Sequence, residues 1–391
     1  MYLTLLKQLL EKNKIKTVMR KKILTLGLTV LTMGFVNAQS SDKEIKFGGR
    51  IMYDMAVWEN TTNDVATQTS GTEFRRVRFY NSGKIYGNVK YKLQLDFAGG
   101  EIAFKDVWME LNKLPIKGAL RVGHFKEPLR LEALTSSKYI TFMERSFPIA
   151  MSAERNSGAM YHTTFGERLS LQTAVFREGD AFGNDKESTN NVNITSRITY
   201  LAINDGNKLL HLGVANSIRK NAEKTYGFST RAENHLGNKL TSVSFDNVDE
   251  TNILGGEFAY VNGSLFLQGE YLQTTVSGMN ETELSSYYGQ ISYFLTGERR
   301  AYKNSLSGFG SVKPNNNYGE NGWGAIELAV RLSSMDLTTA NAGTLEDITV
   351  GINWYLNPNT RIMLNYVMGE MINGEKIITE NAVMMRVQLG F

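Results

Sequence analysis

The 391-residue chain has no cysteine, five prolines and four histidines. Without cysteine there is neither a disulfide framework nor a thiolate metal site. His124, His162, His211 and His235 lie far apart, and none has a serine or aspartate motif around it. Metal binding and serine-type hydrolysis both need such groupings. The chain therefore does not read as an enzyme, and no metal or cofactor is expected. No loop carries a calcium-ligand pattern either. Proline is sparse and no low-complexity or single-charge block divides the chain, so there is no linker between domains. Beyond residue 38 no stretch nears the ~18 consecutive apolar residues of a membrane helix. Any membrane crossing has to be made by strands.

Met19-Arg20-Lys21-Lys22 forms a basic start, residues 23–36 (ILTLGLTVLTMGFV) a short apolar run, and Val36-Asn37-Ala38 a small-residue cleavage pattern. That is the layout of a secretory signal peptide. Residues 1–18 then read as an upstream extension, 19–38 as the signal, and 39–391 as the mature domain. The leader also carries the charge imbalance. Residues 1–38 hold seven Lys/Arg and one acid, so the chain's formal +4 becomes 36 basic against 38 acidic residues after cleavage. A mature net charge of −2 gives no reason to expect nucleic acid as a partner.

What the chain has in abundance is alternation. In 84–97 (KIYGNVKYKLQLDF), Ile85, Val89, Tyr91, Leu93, Leu95 and Phe97 share one face, opposite Lys84, Asn88, Lys90, Lys92, Gln94 and Asp96. The last residues, VMMRVQLGF, repeat the pattern, and so do Ile326, Leu328 and Val330 and the run Ile348 to Leu356. Successive strand side chains point to opposite faces, so each run has one greasy side. The Asn262-Gly263 pair between two such runs signals a hairpin. Runs of about ten residues match tilted membrane strands, and aromatics gather near their ends as in interfacial girdles. Hydrocarbon cannot satisfy an open sheet edge, so the strands must close. The fold expected is all-β, a transmembrane antiparallel barrel of about 16 strands. An 18-strand alternative counts the weak runs 225–231 and 240–246. Short turns are expected at 81–84, 165–167, 204–207, 261–263 and 357–359, on the side of the chain termini. Longer connections are expected at 59–70, 126–157 and 177–191, on the other. Segment 297–321 is long but falls with the short turns.

The polar faces carry charge of both signs. Arg76 and Arg78 share one face, with Arg75 on the other beside Val77. Arg50 and Asp54 lie together on the first strand. Inward cations give a wet pore a positive potential, and arginine's fork suits carboxylate and phosphate. The alternative is that these charges only hydrate the lumen and pair with one another. The stretch 126–157 lacks alternation and mixes Lys126, Arg130, Lys138, Arg145 and Arg155 with acids and many apolar residues. It reads as a loop folded into the lumen that narrows it.

FRRVRF, YKLQLDF, GHFKEPLRLEALTSSKYITFMERS with ERNSG, FLTGERRAY, the WGAIELAVRLS block and INWYLNPNTRIMLNYV together resemble the phosphate-selective porin family, outer-membrane porins O and P. The resemblance spans about 47–391. It implies a 16-stranded barrel, commonly a homotrimer, with inward-folded loops and basic residues conducting phosphate or other small anions. Carried over, the family's paired arginines fall on Arg75 and Arg76, its nearby carboxylate on Asp96 and its constriction-loop lysine on Lys126, with Lys303 and Lys313 as later candidates. A bulge would bring Arg75 to the same side as Arg76. The resemblance also implies the Gram-negative outer membrane, with its lipid and its insertion machinery as partners, the latter reading the strand that ends on Phe391. The expected pore-lining set is Arg75, Arg76, Arg78, Lys90, Lys92, Asp96, Lys126, Arg130, Arg145 and Arg155. The alternative function is a general or oligosaccharide porin, for which Trp58, Trp108 and Tyr86 would supply an aromatic slide.

Overall fold

A computed structural model describes residues 43–63, 65–185, 192–220 and 223–391. The expected signal peptide, 19–38, with cleavage near Ala38, lies outside the described residues. Sixteen antiparallel strands close into one barrel: β1 (Glu44–Thr62), β2 (Val65–Ile85), β3 (Val89–Asp96), β4 (Ala103–Asn112), β5 (Ala119–Lys126), β6 (Arg155–Phe165), β7 (Leu169–Arg177), β8 (Val192–Asn204), β9 (Lys208–Lys220), β12 (Glu250–Asn262), β13 (Leu265–Ser277), β14 (Thr282–Phe294), β17 (Ala325–Asp336), β18 (Thr344–Asn357), β19 (Thr360–Asn373) and β20 (Lys376–Gly390). The two runs that made 18 conceivable form a separate hairpin, β10 (Thr225–Thr230) with β11 (Thr241–Asp246). Their alternation is real, but each is six residues long, too short to cross a bilayer. β15 (Tyr302–Asn304) and β16 (Gly308–Phe309) make a second small hairpin inside the long 295–324 connection.

Two sequence-based turn boundaries shift. β2 continues through 81–84, paired with β1 as far as Glu44↔Lys84, and the turn comes at Tyr86-Gly87, both with positive φ. The 59–70 segment is largely strand, because β1 and β2 extend as a two-stranded ribbon to Thr62↔Val65. Between Met52↔Arg76 and Tyr53↔Phe74 the register slips by one, leaving Arg75 as the extra residue of a β-bulge.

The outward faces are apolar and exposed, and the lumen is filled rather than hollow. Three segments fold into it. The 127–154 loop and the β10–β11 hairpin enter from the long-loop end; the 295–324 insertion enters from the terminus end. The loop contains a one-turn helix, α1 (Leu131–Leu134), and buries Leu129, Met143 and Phe147 among inward residues such as Leu272 and Met335. The wall's polar side chains satisfy its irregular backbone. Asn353 Nδ2 donates to the Thr141 carbonyl (2.9 Å), Arg361 to that of Ile140 (2.9 Å) and Arg386 to that of Met143 (2.6 Å), while Asn365 Oδ1 accepts from Met143 N–H (2.8 Å). A buried loop without such partners would carry unmet backbone groups. The insertion meets the same loop from below. Arg300 donates to the Tyr139 carbonyl at 2.7 Å and to Thr141 Oγ1 at 2.9 Å, and Phe309 packs on Phe266.

The barrel seam is sealed by β1 against β20. Gly49 N–H donates to the Phe391 carbonyl at 2.7 Å. A Cβ on Gly49 would stand 2.5 Å from both the Phe391 ring and the Arg78 carbonyl oxygen. Gly49→Leu is therefore expected to block closure: the fraction of refolded chain showing the heat-modifiable gel shift of a closed barrel should fall several-fold, and an unchanged fraction would contradict the seam as described.

Candidate functional site

A cavity of about 540 Å³ opens in the lumen against the β1–β7 wall. Its far side is formed by Ser136, Ser137, Lys138 and Tyr139 of the inward loop and by Lys303, Asn304, Leu306 and Ser307 of the insertion. The opposite half of the lumen is packed shut around fully buried arginines that face carboxylates: Arg197 with Glu257, Arg300 with Glu327 (2.7 Å), Arg331 with Glu132 (3.2 Å) and Glu233, and Arg386 with Asp54 (2.6 Å).

Eleven cationic residues line the cavity, against three carboxylates, Glu44, Asp106 and Glu110. Most of the cations are compensated. Lys92 pairs with Asp106 at 2.5 Å and Arg155 with the same carboxyl at 2.8 Å. Arg121 and Lys90 face Glu110 at 2.6 and 3.6 Å, and Arg78 faces Asp96 at 2.7 Å. Among the described residues, Arg50, Lys84, Lys138 and Lys303 have no carboxylate within ion-pair distance. Arg50 is the notable case, because it is buried at 6% exposure. Its Nη1 donates to Ser137 Oγ at 2.6 Å, and its Nε has no partner. An isolated buried guanidinium is costly unless something negative joins it. Lys138 adjoins Ser137, and burial, then Arg50, Lys92 and Lys303, pull its ammonium pKa down to about 8.

A sequence model of the family described as "Phosphate-selective porin O and P" matches residues 45–391. The chain belongs to that family. The porin is 25% identical over 399 residues to Porin O of Pseudomonas aeruginosa, covering 90% of this chain and 89% of the relative. It is 26% identical over 376 residues to an uncharacterized protein of Caulobacter vibrioides, covering 90% and 75%. Its fold resembles the anion-selective porin of Comamonas acidovorans (TM-score 0.57, 14% identity, covering 90% of this chain and all of that one) and OmpT of Vibrio cholerae (TM-score 0.56, 10% identity, covering 91% and 100%). Family and fold place the porin in the Gram-negative outer membrane.

The porin brings Arg78, Lys90, Lys92, Lys126 and Arg155 of the expected set to the cavity; Arg75, Arg76, Asp96, Arg130 and Arg145 lie outside its lining. The bulge turns Arg75 inward, but onto Glu144, which takes both its Nε and Nη2 at 2.8 Å. Arg386 at 2.9 Å and Arg76 at 4.0 Å face the same carboxyl. Burial pushes the Glu144 carboxyl up, yet Arg75 and Arg76 overcome it and hold it well below the usual range. Lys126 donates to the carbonyls that end α1, Ala133, Leu134 (3.4 Å) and Thr135 (3.2 Å), and pairs with Glu154 at 3.0 Å. Arg145 donates to the Thr135 carbonyl at 3.0 Å, and Arg130 to those of Pro148 and Ile149 at 2.7 and 3.1 Å. These three side chains hold the loop's shape, Lys126 and Arg145 as cations at the C-terminus of α1. Of the aromatics, Trp58 is buried in the loop core, Tyr86 sits exposed in a turn, and Trp108 lines the cavity with Arg121 stacked 4.2 Å over it. Each histidine has a fixed partner: His124 and Ser157, His162 and Glu110, His211 and Glu257, His235 and Glu73.

Arg50, Lys138, Lys84 and Arg121 were absent from the expected set. Strand parity alone puts Arg50 and Lys84 on inward faces; nothing local marks Lys138 in a loop without alternation. Glu144→Gln should loosen the loop, since it leaves the buried Arg76 and the partly buried Arg75 without their shared counter-charge. The cost should be about 3 kcal/mol, the lower end for breaking a buried pair, read as a lower midpoint of heat-induced barrel unfolding with the folded yield retained.

Proposed function

We propose that this porin is a passive channel that prefers anions, with phosphate or a similar oxyanion as its solute, and that it works as a channel rather than an enzyme. The observation that carries the reading is the surplus of cations over carboxylates in the cavity, with Arg50, Lys138, Lys84 and Lys303 unmatched. Arg50, Ser137 and Lys138 would bind the anion, with Lys92 opposite. A guanidinium fork, a hydroxyl donor and an ammonium together can replace part of an oxyanion's hydration. Asp106, already shared by Lys92 and Arg155, would keep binding weak enough for release. Arg78, Lys90, Lys126 and Arg155 would extend the positive path. Arg75, Arg76, Asp96, Arg130 and Arg145 would act on it only by shaping the loop and the field.

Further parts of the reading belong to biogenesis and assembly. Residues 19–38 would be cleaved near Ala38 on export, and the strand ending in Phe391 would be read by the outer-membrane insertion machinery. A homotrimer fits the low part of the wall beside the cavity: β3 and β5 have 8 residues each, against 13 to 15 for β12–β14 and β18–β20. A bilayer needs about 9–11 residues per tilted strand, so the low wall is better covered by another copy than by lipid. One structure of OmpT from Vibrio cholerae is of a trimer form.

The test is reversal potential and single-channel conductance across a KCl gradient, with added phosphate. Chloride selectivity with phosphate block is the result expected. Arg50→Ala and Lys138→Ala should each weaken the block roughly ten-fold, the scale of one charged hydrogen bond, and Arg145→Met far less. A non-selective pore indifferent to phosphate would make this a general or sugar porin. Since Lys138 is charged below about pH 8 and neutral above it, chloride selectivity should fall between pH 7 and 9. Lys138→Arg, charged throughout that range, should abolish the fall; a fall of equal size in that variant would contradict the assignment.

A further inference from the structure

The two ends of the barrel carry opposite charge. Among the described residues, the long-loop end exposes twelve carboxylates and five cations, a formal −7; Glu101, Asp246, Asp249 and Glu281 are examples. The terminus end exposes ten cations and four carboxylates, a formal +6. Lys113 and Lys117 there join β4 to β5, Arg168 joins β6 to β7, and Lys208 opens β9. The first three sit in turns between strands that line the cavity. This polarity is not a by-product of overall composition, because the chain after residue 38 is close to neutral.

We infer that the porin rectifies: anions entering from the terminus end carry more current than anions entering from the long-loop end. The inference rests on the anion-conducting reading above. Fixed charge at a mouth sets the local ion concentration within about a Debye length, roughly 10 Å at 0.1 M salt. The basic mouth enriches anions and the acidic mouth depletes them, so under a voltage the supply of carriers differs with direction. At zero voltage the pore stays passive, and no net flux arises from the asymmetry.

The experiment is the current–voltage curve of single pores of known orientation. The chain has no cysteine, so Met279→Cys, at an 84% exposed position in the long-loop end's 278–281 turn, accepts one biotin. Streptavidin added to one chamber then reports which way the pore faces. At 0.1 M KCl the current should be roughly two-fold larger with the long-loop side positive, and the ratio should approach one at 1 M, where the Debye length is about 3 Å. The combined Lys113→Gln, Lys117→Gln, Arg168→Gln and Lys208→Gln variant should lower the ratio at 0.1 M while chloride selectivity persists. If that variant does not assemble, the salt series on the otherwise unaltered pore decides alone. A linear curve at 0.1 M, the opposite polarity, or a ratio insensitive to salt overturns the inference while leaving an anion-selective reversal potential intact. Loss of chloride selectivity in the unaltered pore overturns the functional reading instead.

Discussion

A strand wall set in hydrocarbon can turn only one kind of face outward, and the remaining features of this porin follow from that. Charged residues on the crossing strands are driven to the lumen, where they have to find counter-charge, backbone carbonyls, water or a passing ion. Half of the lumen solves the problem internally. Arg300 with Glu327 and Arg386 with Asp54 are buried pairs that also donate to carbonyls of the inward loop. Charges on β17–β20, together with Arg300 of the insertion, thus anchor the segment that shapes the passage. The other half, along β1–β7, leaves cations unmatched, and those are what a solute meets.

This division changes which arginines matter. A count of lumenal cations would give most weight to Arg75 and Arg76, yet Glu144 is shared between them and Arg386. Lys126, Arg130 and Arg145 look like a basic constriction in the sequence, but each is engaged by carbonyl oxygens of its own loop. Arg50 makes one hydroxyl contact and has no acid beside it. Electrostatic selectivity follows residual charge after pairing rather than total charge, because a tightly paired ion presents little net field to a third.

The barrel was legible in the sequence because its signal is local: a two-residue period over ten or more positions survives any tertiary context. Strand membership at the margins was not. The β10 and β11 runs alternate as the wall does, and only the distant packing of the hairpin on Ile253 and Met335 removes them from it. The bulge at Arg75 had no signature beyond the conflict between simple parity and the family resemblance. The site was half legible. Parity placed Arg50, Arg78, Lys90 and Lys92 inward, but compensation is set by partners tens to hundreds of residues away, as Arg75 with Glu144 or Arg386 with Asp54. No pattern in the chain announces those pairings.

The central claim is that unmatched cations, not the most numerous ones, define where an anion rests. Anomalous diffraction from crystals of the porin soaked in bromide tests it most directly. The account predicts a bromide peak among Arg50, Ser137 and Lys138. A peak instead between Arg75 and Arg76, with Glu144 displaced and nothing at Arg50, would contradict it.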